Sequence, residues 1–173
     1  MIINTITTTP AGGKTASGHM DVTNMDTEES FRVDDVKSGG LVWGELDDSN
    51  YYAPFGTYDI LEHTHPDNPL IGYKLYHRLE AQDTNYGDDK VYFEDQDQAE
   101  REHLRLHFTG SGTTYGCVMV PNTCAEKILD ELNNTRTSTV TVNSKSRNPF
   151  KRYEEQIKYG ELHIIDAREC DEG

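Results

Sequence analysis

Positive charge and long apolar runs are both scarce in this sequence. Lys and Arg together number 16 against 31 Asp and Glu, so the formal net charge is −15. A surface of that charge repels phosphate groups, which disfavours nucleic acid as a partner. Nowhere do about eighteen apolar residues run together, and the first residues lack the basic and apolar parts of a signal peptide. We therefore expect no membrane span, and synthesis in the cytoplasm without a signal peptide.

Cysteine is also rare. The three cysteines, Cys117, Cys124 and Cys170, cannot all pair with one another. Their positions show no Cys-X-X-Cys spacing of the kind that binds metals. At least one thiol is therefore expected to be free.

The length and composition of the chain suffice for one folded domain. The chain has 173 residues, of which 34% are hydrophobic, and it contains ten tyrosines, a composition that is polar but not that of a disordered protein. Residues 1–29 are rich in Thr, Gly, Asn and Asp and are predicted to form an N-terminal arm. Residues 30–173 are predicted to form a single domain.

Alternation of apolar and polar residues predicts a mainly β fold, a twisted sheet or open barrel-like domain. Two helices are expected to pack on it in the C-terminal third. The first would span 123–134, and the second would begin at Asn148-Pro149, turn Ile157 inward and end at Gly160. Strands are predicted over 2–7, 31–33, 41–43, 58–60, 70–79, 90–93, 104–108, 117–120, 138–142 and 162–165.

The stretch LRLHFTGSGTTYGCVMV, residues 104–120, carries most of the chemistry of the sequence. In its first five residues apolar and polar side chains alternate, so a strand would bury the apolar ones and turn His107 to the other face. A run of glycines and hydroxyl residues follows, which is typical of a loop and leads to Cys117. The side chains expected in the core are Leu104, Leu106 and Phe108.

Cys117 opens a second short apolar run, which is expected to pair beside the strand of His107. A thiol is a weak nucleophile until it loses its proton, and a neighbouring histidine is the commonest group that accepts it. Gly116 permits a tight turn, so the backbone amides of Tyr115, Gly116 and Cys117 could stabilise an oxyanion. The pattern favours a cysteine nucleophile with a histidine base, and a buried core cysteine is an equally ordinary interpretation.

The order of these residues resembles the catalytic motif of L,D-transpeptidases, cysteine enzymes that remodel peptidoglycan. The resembling features are a histidine on an Arg-Leu-His strand, a Gly/Ser-rich loop, and a Thr-Tyr-Gly-Cys segment that aliphatic residues follow. The short interval between His107 and Cys117 is similar to that of a compact branch that includes toxic effectors delivered by type VI secretion. A Pro-X-Gly-X-Tyr turn before a core strand, at residues 54–58, is also similar to the family.

The resemblance implies a role for each residue of the motif. Cys117 would be the nucleophile and His107 its base, and Tyr115 and Gly116 would belong to the oxyanion turn. The resemblance implies no cofactor and no metal.

Three further residues are predicted to bind substrate: Arg105, Ser111 and Thr114, of which Thr114 opens the cysteine motif. The sequence departs from the family at two positions. Tyr115 stands where the housekeeping enzymes usually carry a second histidine, and Met119 where they usually have an arginine. Arg105, which is on the same strand as the histidine, is therefore expected to supply the charge that binds the substrate carboxylate.

The implied activity is acyl transfer on peptidoglycan tetrapeptide stems, with removal or exchange of the terminal D-alanine. Resolution of the acyl-enzyme by water gives an L,D-carboxypeptidase, and resolution by an amine gives an L,D-transpeptidase. The effector branch implies an antibacterial toxin that is secreted into the periplasm of a target cell, with an immunity protein as a candidate partner. A non-catalytic wall-binding module and a cysteine endopeptidase or amidase of peptidoglycan are the alternatives.

Two other sets of residues are candidates for a site. Cys124 is at the start of a helix, where the helix dipole lowers the pKa of a thiol, so it is a rival nucleophile. Four histidines could hold zinc, but a His-X-X-X-His pair chelates one ion best on a helix, and residues 104–108 favour a strand. No metal site is therefore predicted at His63, His65, His103 and His107.

Overall fold

The computed structural model describes residues 2–11, 15–39, 53, 55–63, 73–77, 91–92, 100–101, 104–108, 117–143 and 153–166. These residues form eleven strands and one helix, so the prediction of a mainly β fold is confirmed. The elements are β1 (Ile2–Ala11), β2 (Thr15–Asn24), β3 (Glu29–Gly39), β4 (Gly56–His63), β5 (Tyr73–His77), β6 (Val91–Tyr92), β7 (Glu100–Arg101), β8 (Arg105–His107), β9 (Val118–Met119), α1 (Asn122–Asn134), β10 (Ser138–Asn143) and β11 (Tyr153–Asp166).

Nine strands form one sheet, in the order β1-β2-β3-β9-β8-β5-β4-β11-β10, and β6 pairs with β7 in a second sheet. β11 also pairs with β1, in parallel, from Ile2 beside Gly160 to Thr8 beside Asp166. The large sheet is thus closed, where the sequence predicted an open one. The predicted strand at 41–43 lies outside the described residues, and each other predicted strand overlaps an observed one.

The second C-terminal helix was predicted wrongly, because residues 153–166 form the long strand β11. Buried and more exposed side chains alternate along it with a period of two residues, which is the period of a strand. Ile157, expected to point inward, is 39% exposed, whereas Gln156 is buried. Backbone pairing with β10, β4 and β1 overrides the local helix signals at Asn148-Pro149 and Gly160.

The first predicted helix is confirmed as α1, which begins at Asn122 and ends at Asn134. One of its faces is buried in the core through Ala125, Ile128 and Leu132. Among the described residues, no helix combines the length and the apolar character that a membrane crossing requires.

The hydrophobic core joins side chains of six strands of the large sheet to those of α1. Tyr58 and Ile60 on β4 are fully buried in it, as their alternation predicted. Met20 and Val22 are fully buried as well, so residues 1–29, expected as an arm, contribute strands β1 and β2 to the sheet. Each such side chain contributes about 1.5–3 kcal/mol by its burial. We call the face of the sheet that points away from this core the outer face.

Candidate active site

β8 and β9, which carry the candidate catalytic residues, lie side by side and run parallel. Leu106 and its partner on β9 are buried in the core. His107 is the backbone partner of Met119, one position further, so both belong to the outer face. Arg105 and Cys117 come one position before the buried pair and therefore share that face. The prediction that the strands of the histidine and the cysteine are neighbours is confirmed.

The register sets the thiol and the imidazole diagonally across the two strands. Two residues along a strand span about 6.6 Å and neighbouring strands are about 4.8 Å apart, which places the Cα atoms of Cys117 and His107 about 8 Å from each other. Diagonal side chains at that separation are within reach of one another. Both residues are partly exposed, so either side chain can turn towards a substrate that lies over the strands.

His107 is also held by a backbone contact at the end of its strand. The Val120 N–H donates a hydrogen bond of 2.8 Å to the His107 carbonyl oxygen. This bond extends the parallel pairing beyond β9, and it fixes the backbone that carries the imidazole. The pairing therefore restrains the backbone of His107 and leaves its side-chain conformation free of this restraint.

Arg105 is the residue that the register of β8 and β9 sets beside Cys117. Its backbone N–H favours the thiolate form of Cys117 and so opposes the effect of burial on the pKa of this thiol. Its guanidinium is tethered by a hydrogen bond of 2.9 Å from Nη1 to the carbonyl oxygen of Leu104. The same cation acts on both neighbours, because its charge favours a thiolate at Cys117 and disfavours a charged imidazole at His107.

Burial is the dominant influence on both titratable groups. It raises the pKa of the Cys117 thiol above its ordinary value of 9.0, although the N–H and the charge of Arg105 oppose this. It lowers the pKa of His107 below its ordinary value of 6.5, and the charge of Arg105 lowers this pKa further. At neutral pH the pair therefore rests as a thiol and a neutral imidazole, which is the state in which the imidazole can accept a proton.

Basic residues gather around the thiol although the whole chain is acidic. Lys37 on β3 is the exposed backbone partner of Met119 and belongs to the same outer face. With Arg105 itself, Lys37 makes the outer face near Cys117 suited to a substrate that carries negative charge.

Four predicted site residues lie outside the described part of the chain: Ser111, Thr114, Tyr115 and Gly116. The oxyanion turn is therefore represented only by Cys117.

Cys124, the rival nucleophile, is also a free thiol. It lies in the first turn of α1, where its side chain packs against the hydrophobic core. Cys170, His65 and His103 lie outside the described residues. In the described ranges, no three side chains of His, Cys, Asp or Glu are grouped as a metal would require.

A polar cluster on β4 and β11, also on the outer face, was not predicted from the sequence. The Lys158 ammonium lies 2.7 Å from an Asp59 carboxylate oxygen and 3.0 Å from Glu161 Oε1. Glu161 Oε2 is 3.3 Å from His163 Nε2, and His163 Nδ1 is 3.4 Å from the Thr57 hydroxyl. The signal in the sequence was the alternation of Glu161 and His163 with Leu162 and Ile164, whereas Lys158 is out of phase with them because the register shifts between Lys158 and Gly160.

The arrangement on β8 and β9 offers a nucleophile, a base and a fixed cation on one face of the sheet. These are the parts that an acyl transfer at a carbonyl carbon requires. Comparisons of the chain with protein-family models, with curated proteins and with solved structures found no match.

Proposed function

We propose that this protein is a cysteine-dependent acyltransferase or hydrolase that acts on peptidoglycan tetrapeptide stems. The observation that carries the proposal is the placement of Cys117 and His107 on one face of two adjacent parallel strands, with Arg105 next to Cys117 in the register. The substrate class comes from the motif of residues 104–120, which resembles that of L,D-transpeptidases.

In the proposed reaction the Cys117 thiol gives its proton to neutral His107, and the sulfur forms a bond with the amide carbonyl carbon that precedes the terminal D-alanine. The Cys117 N–H and the turn before it stabilise the resulting oxyanion. The carbon–nitrogen bond then breaks, and His107 gives the proton to the leaving amine of D-alanine. Water or a second amine then attacks the thioester carbonyl carbon and loses a proton to His107. The carbon–sulfur bond breaks, and His107 returns the proton to the sulfur, which restores the thiol.

The charge around the thiol supports an anionic substrate. A tetrapeptide stem ends in a carboxylate, and its third residue, a diamino acid, can carry another. Arg105 and the exposed Lys37 provide cations on the same face as the nucleophile, in a chain whose net charge is −15. Long-range repulsion from the rest of the surface is therefore offset locally.

The proposed setting follows from the same resemblance. The protein would be secreted as an antibacterial effector and would act in the periplasm of a target cell, where its stem substrates are. An immunity protein would protect the producer. The finer proposal for the fold, an L,D-transpeptidase-type domain, depends on the motif as well.

Incubation with purified tetrapeptide muropeptides, followed by mass spectrometry, tests the proposal. We expect loss of D-alanine or its exchange for an added D-amino acid, with both abolished by Cys117→Ala. Cys124→Ser is the matched control for the thiol, and His19→Gln is the control for His107→Gln, since His19 lies on β2. Unchanged turnover in Cys117→Ala would refute the mechanism, and cleavage at another bond would instead identify an endopeptidase or amidase.

A second candidate function is a non-catalytic module that binds the cell wall. The raised pKa of the Cys117 thiol favours it, because burial keeps the sulfur in its unreactive form. This candidate predicts sedimentation of the protein with purified sacculi, unaffected by Cys117→Ala, and no change in muropeptide mass.

A further inference from the structure

We propose that Arg105 is a positioning residue that stabilises the Cys117 thiolate, so that the nucleophile does not depend on an ion pair with His107. This inference rests on the proposed function, because it concerns how the same nucleophile is activated. It assigns Arg105 a role other than the binding of the substrate carboxylate, which the sequence had indicated.

The first support is the register of β8 and β9. The parallel pairing places Leu106 beside Val118 and His107 beside Met119, so the preceding pair is Arg105 with Cys117. Arg105 is thus the direct neighbour of the cysteine, whereas the histidine is diagonal to it. From this position both the backbone N–H and the charge of Arg105 favour the thiolate form of Cys117.

The second support is that the cation is held in place. Arg105 donates from Nη1 to the carbonyl oxygen of Leu104 at 2.9 Å, so its guanidinium is folded back along β8. A guanidinium stays charged at every pH at which a thiol titrates. A permanent, tethered cation on the residue next to Cys117 in the register favours a negative charge on the sulfur.

The third support is the position of His107. Its imidazole shares the outer face with Arg105, two residues along the same strand, where a second positive charge is unfavourable. A resting imidazolium–thiolate pair would keep two cations side by side. His107 is therefore neutral at rest and holds the proton only during the reaction, while Arg105 carries the electrostatic stabilisation of the thiolate. In the part of the chain that the structure describes, Lys37 on β3 is a further basic residue on the outer face near Cys117.

Alkylation of Cys117 by iodoacetamide measures the thiolate without any substrate. The full chain with Cys124→Ser and Cys170→Ser leaves Cys117 as the sole thiol, and its alkylation rate is followed from pH 6 to pH 10. In this background Arg105→Gln removes the charge and keeps the backbone N–H. Arg105→Lys restores a charge, His107→Gln removes the imidazole, and Lys37→Gln is the control for an exposed lysine on the same face. Circular dichroism and melting temperature establish that each variant is folded.

We expect Arg105→Gln to slow alkylation at pH 7.5 by about five- to tenfold and to move the pH midpoint upward, because the thiolate loses its neighbouring cation. Arg105→Lys should recover most of the rate, and the other two variants should stay within about threefold of the parent. An unchanged rate in Arg105→Gln, or a larger loss in His107→Gln, would overturn the inference. The alkylation assay contains no muropeptide, so a protein without turnover can still show the alkylation rates expected here. Failure of this inference can therefore be distinguished from failure of the proposed function.

Discussion

Lys158 lies between two carboxylates on the outer face. Its replacement by methionine tests how much the free energy of unfolding depends on the positive charge of this side chain. The side chains of Lys158, Asp59 and Glu161 are 11%, 6% and 17% exposed. Asp59 and Glu161 are also direct partners across β4 and β11. Methionine keeps most of the apolar stem and removes the charge. The two carboxylates, which are largely removed from solvent, would then lose the cation that lies between them.

The size of the effect follows from the two distances. At 2.7 and 3.0 Å, with an effective dielectric constant of about 20, each attraction is worth about 6 kcal/mol before the cost of removing the ions from water. The desolvation of the lysine is recovered in the variant, so the net loss is smaller. Removal of one partner from a buried ion pair typically costs about 3–5 kcal/mol. We expect a loss in this range for Lys158→Met at pH 7.

Urea denaturation, followed by circular dichroism and extrapolated to water, measures the free energy of unfolding. Arg32→Met is the matched control. Its ion pair with Asp21 has a similar distance, 2.8 Å, but the side chains are 56% and 43% exposed, so we expect a loss below about 1 kcal/mol. A loss for Lys158→Met no larger than that for Arg32→Met would refute the reasoning.

Further predictions concern the core and two titratable groups. Ile128→Ala on α1 should lose about 2–5 kcal/mol in urea denaturation, and Ile165→Ala, at an exposed position, under about 1 kcal/mol. Arg136 holds the pKa of Asp26 well below its usual range. This pair therefore stabilises the fold fully above the ordinary carboxyl pKa and stabilises it less as the pH falls below that value. We expect Arg136→Ala to lower the melting temperature more at pH 7 than at pH 2. If turnover is found, the lowered pKa of His107 predicts that the acidic limb of kcat/KM lies below pH 6.5, and a limb above that value would contradict its role as a neutral base.

Local sequence patterns were enough to predict the strands and helices in which buried side chains recur at a regular interval. The alternation in residues 104–108 correctly predicted which side chains enter the core, and the apolar spacing in 123–134 correctly predicted α1. In both cases one face is buried against a single core, so the period of the sequence is the period of the structure. The direction in which His107 points was therefore available from the sequence.

The pairing of strands that are distant in the sequence could not be predicted from such local patterns. β11 is a strand because three other strands border it, and those strands begin more than ten residues away in the sequence. The closure of the sheet depends on the same pairings. At the candidate site, alternation predicts the face of a residue but not its partner, because registers that differ by two residues bury the same side chains. The contact of Arg105 with Cys117 required the actual register of β8 and β9.

The many neighbours of β11 have a consequence for synthesis on the ribosome. Of the described strands, β11 is the last to be made, yet β1, β4 and β10 each need it as a partner. In a nascent chain that ends before β11, one edge of β4 has no strand to pair with, and the core lacks Leu162 and Ile164. Pairing between segments so far apart closes large loops and is slow. The enclosed core can therefore form only after translation of β11, and a chaperone that shields exposed strand edges would act before that moment.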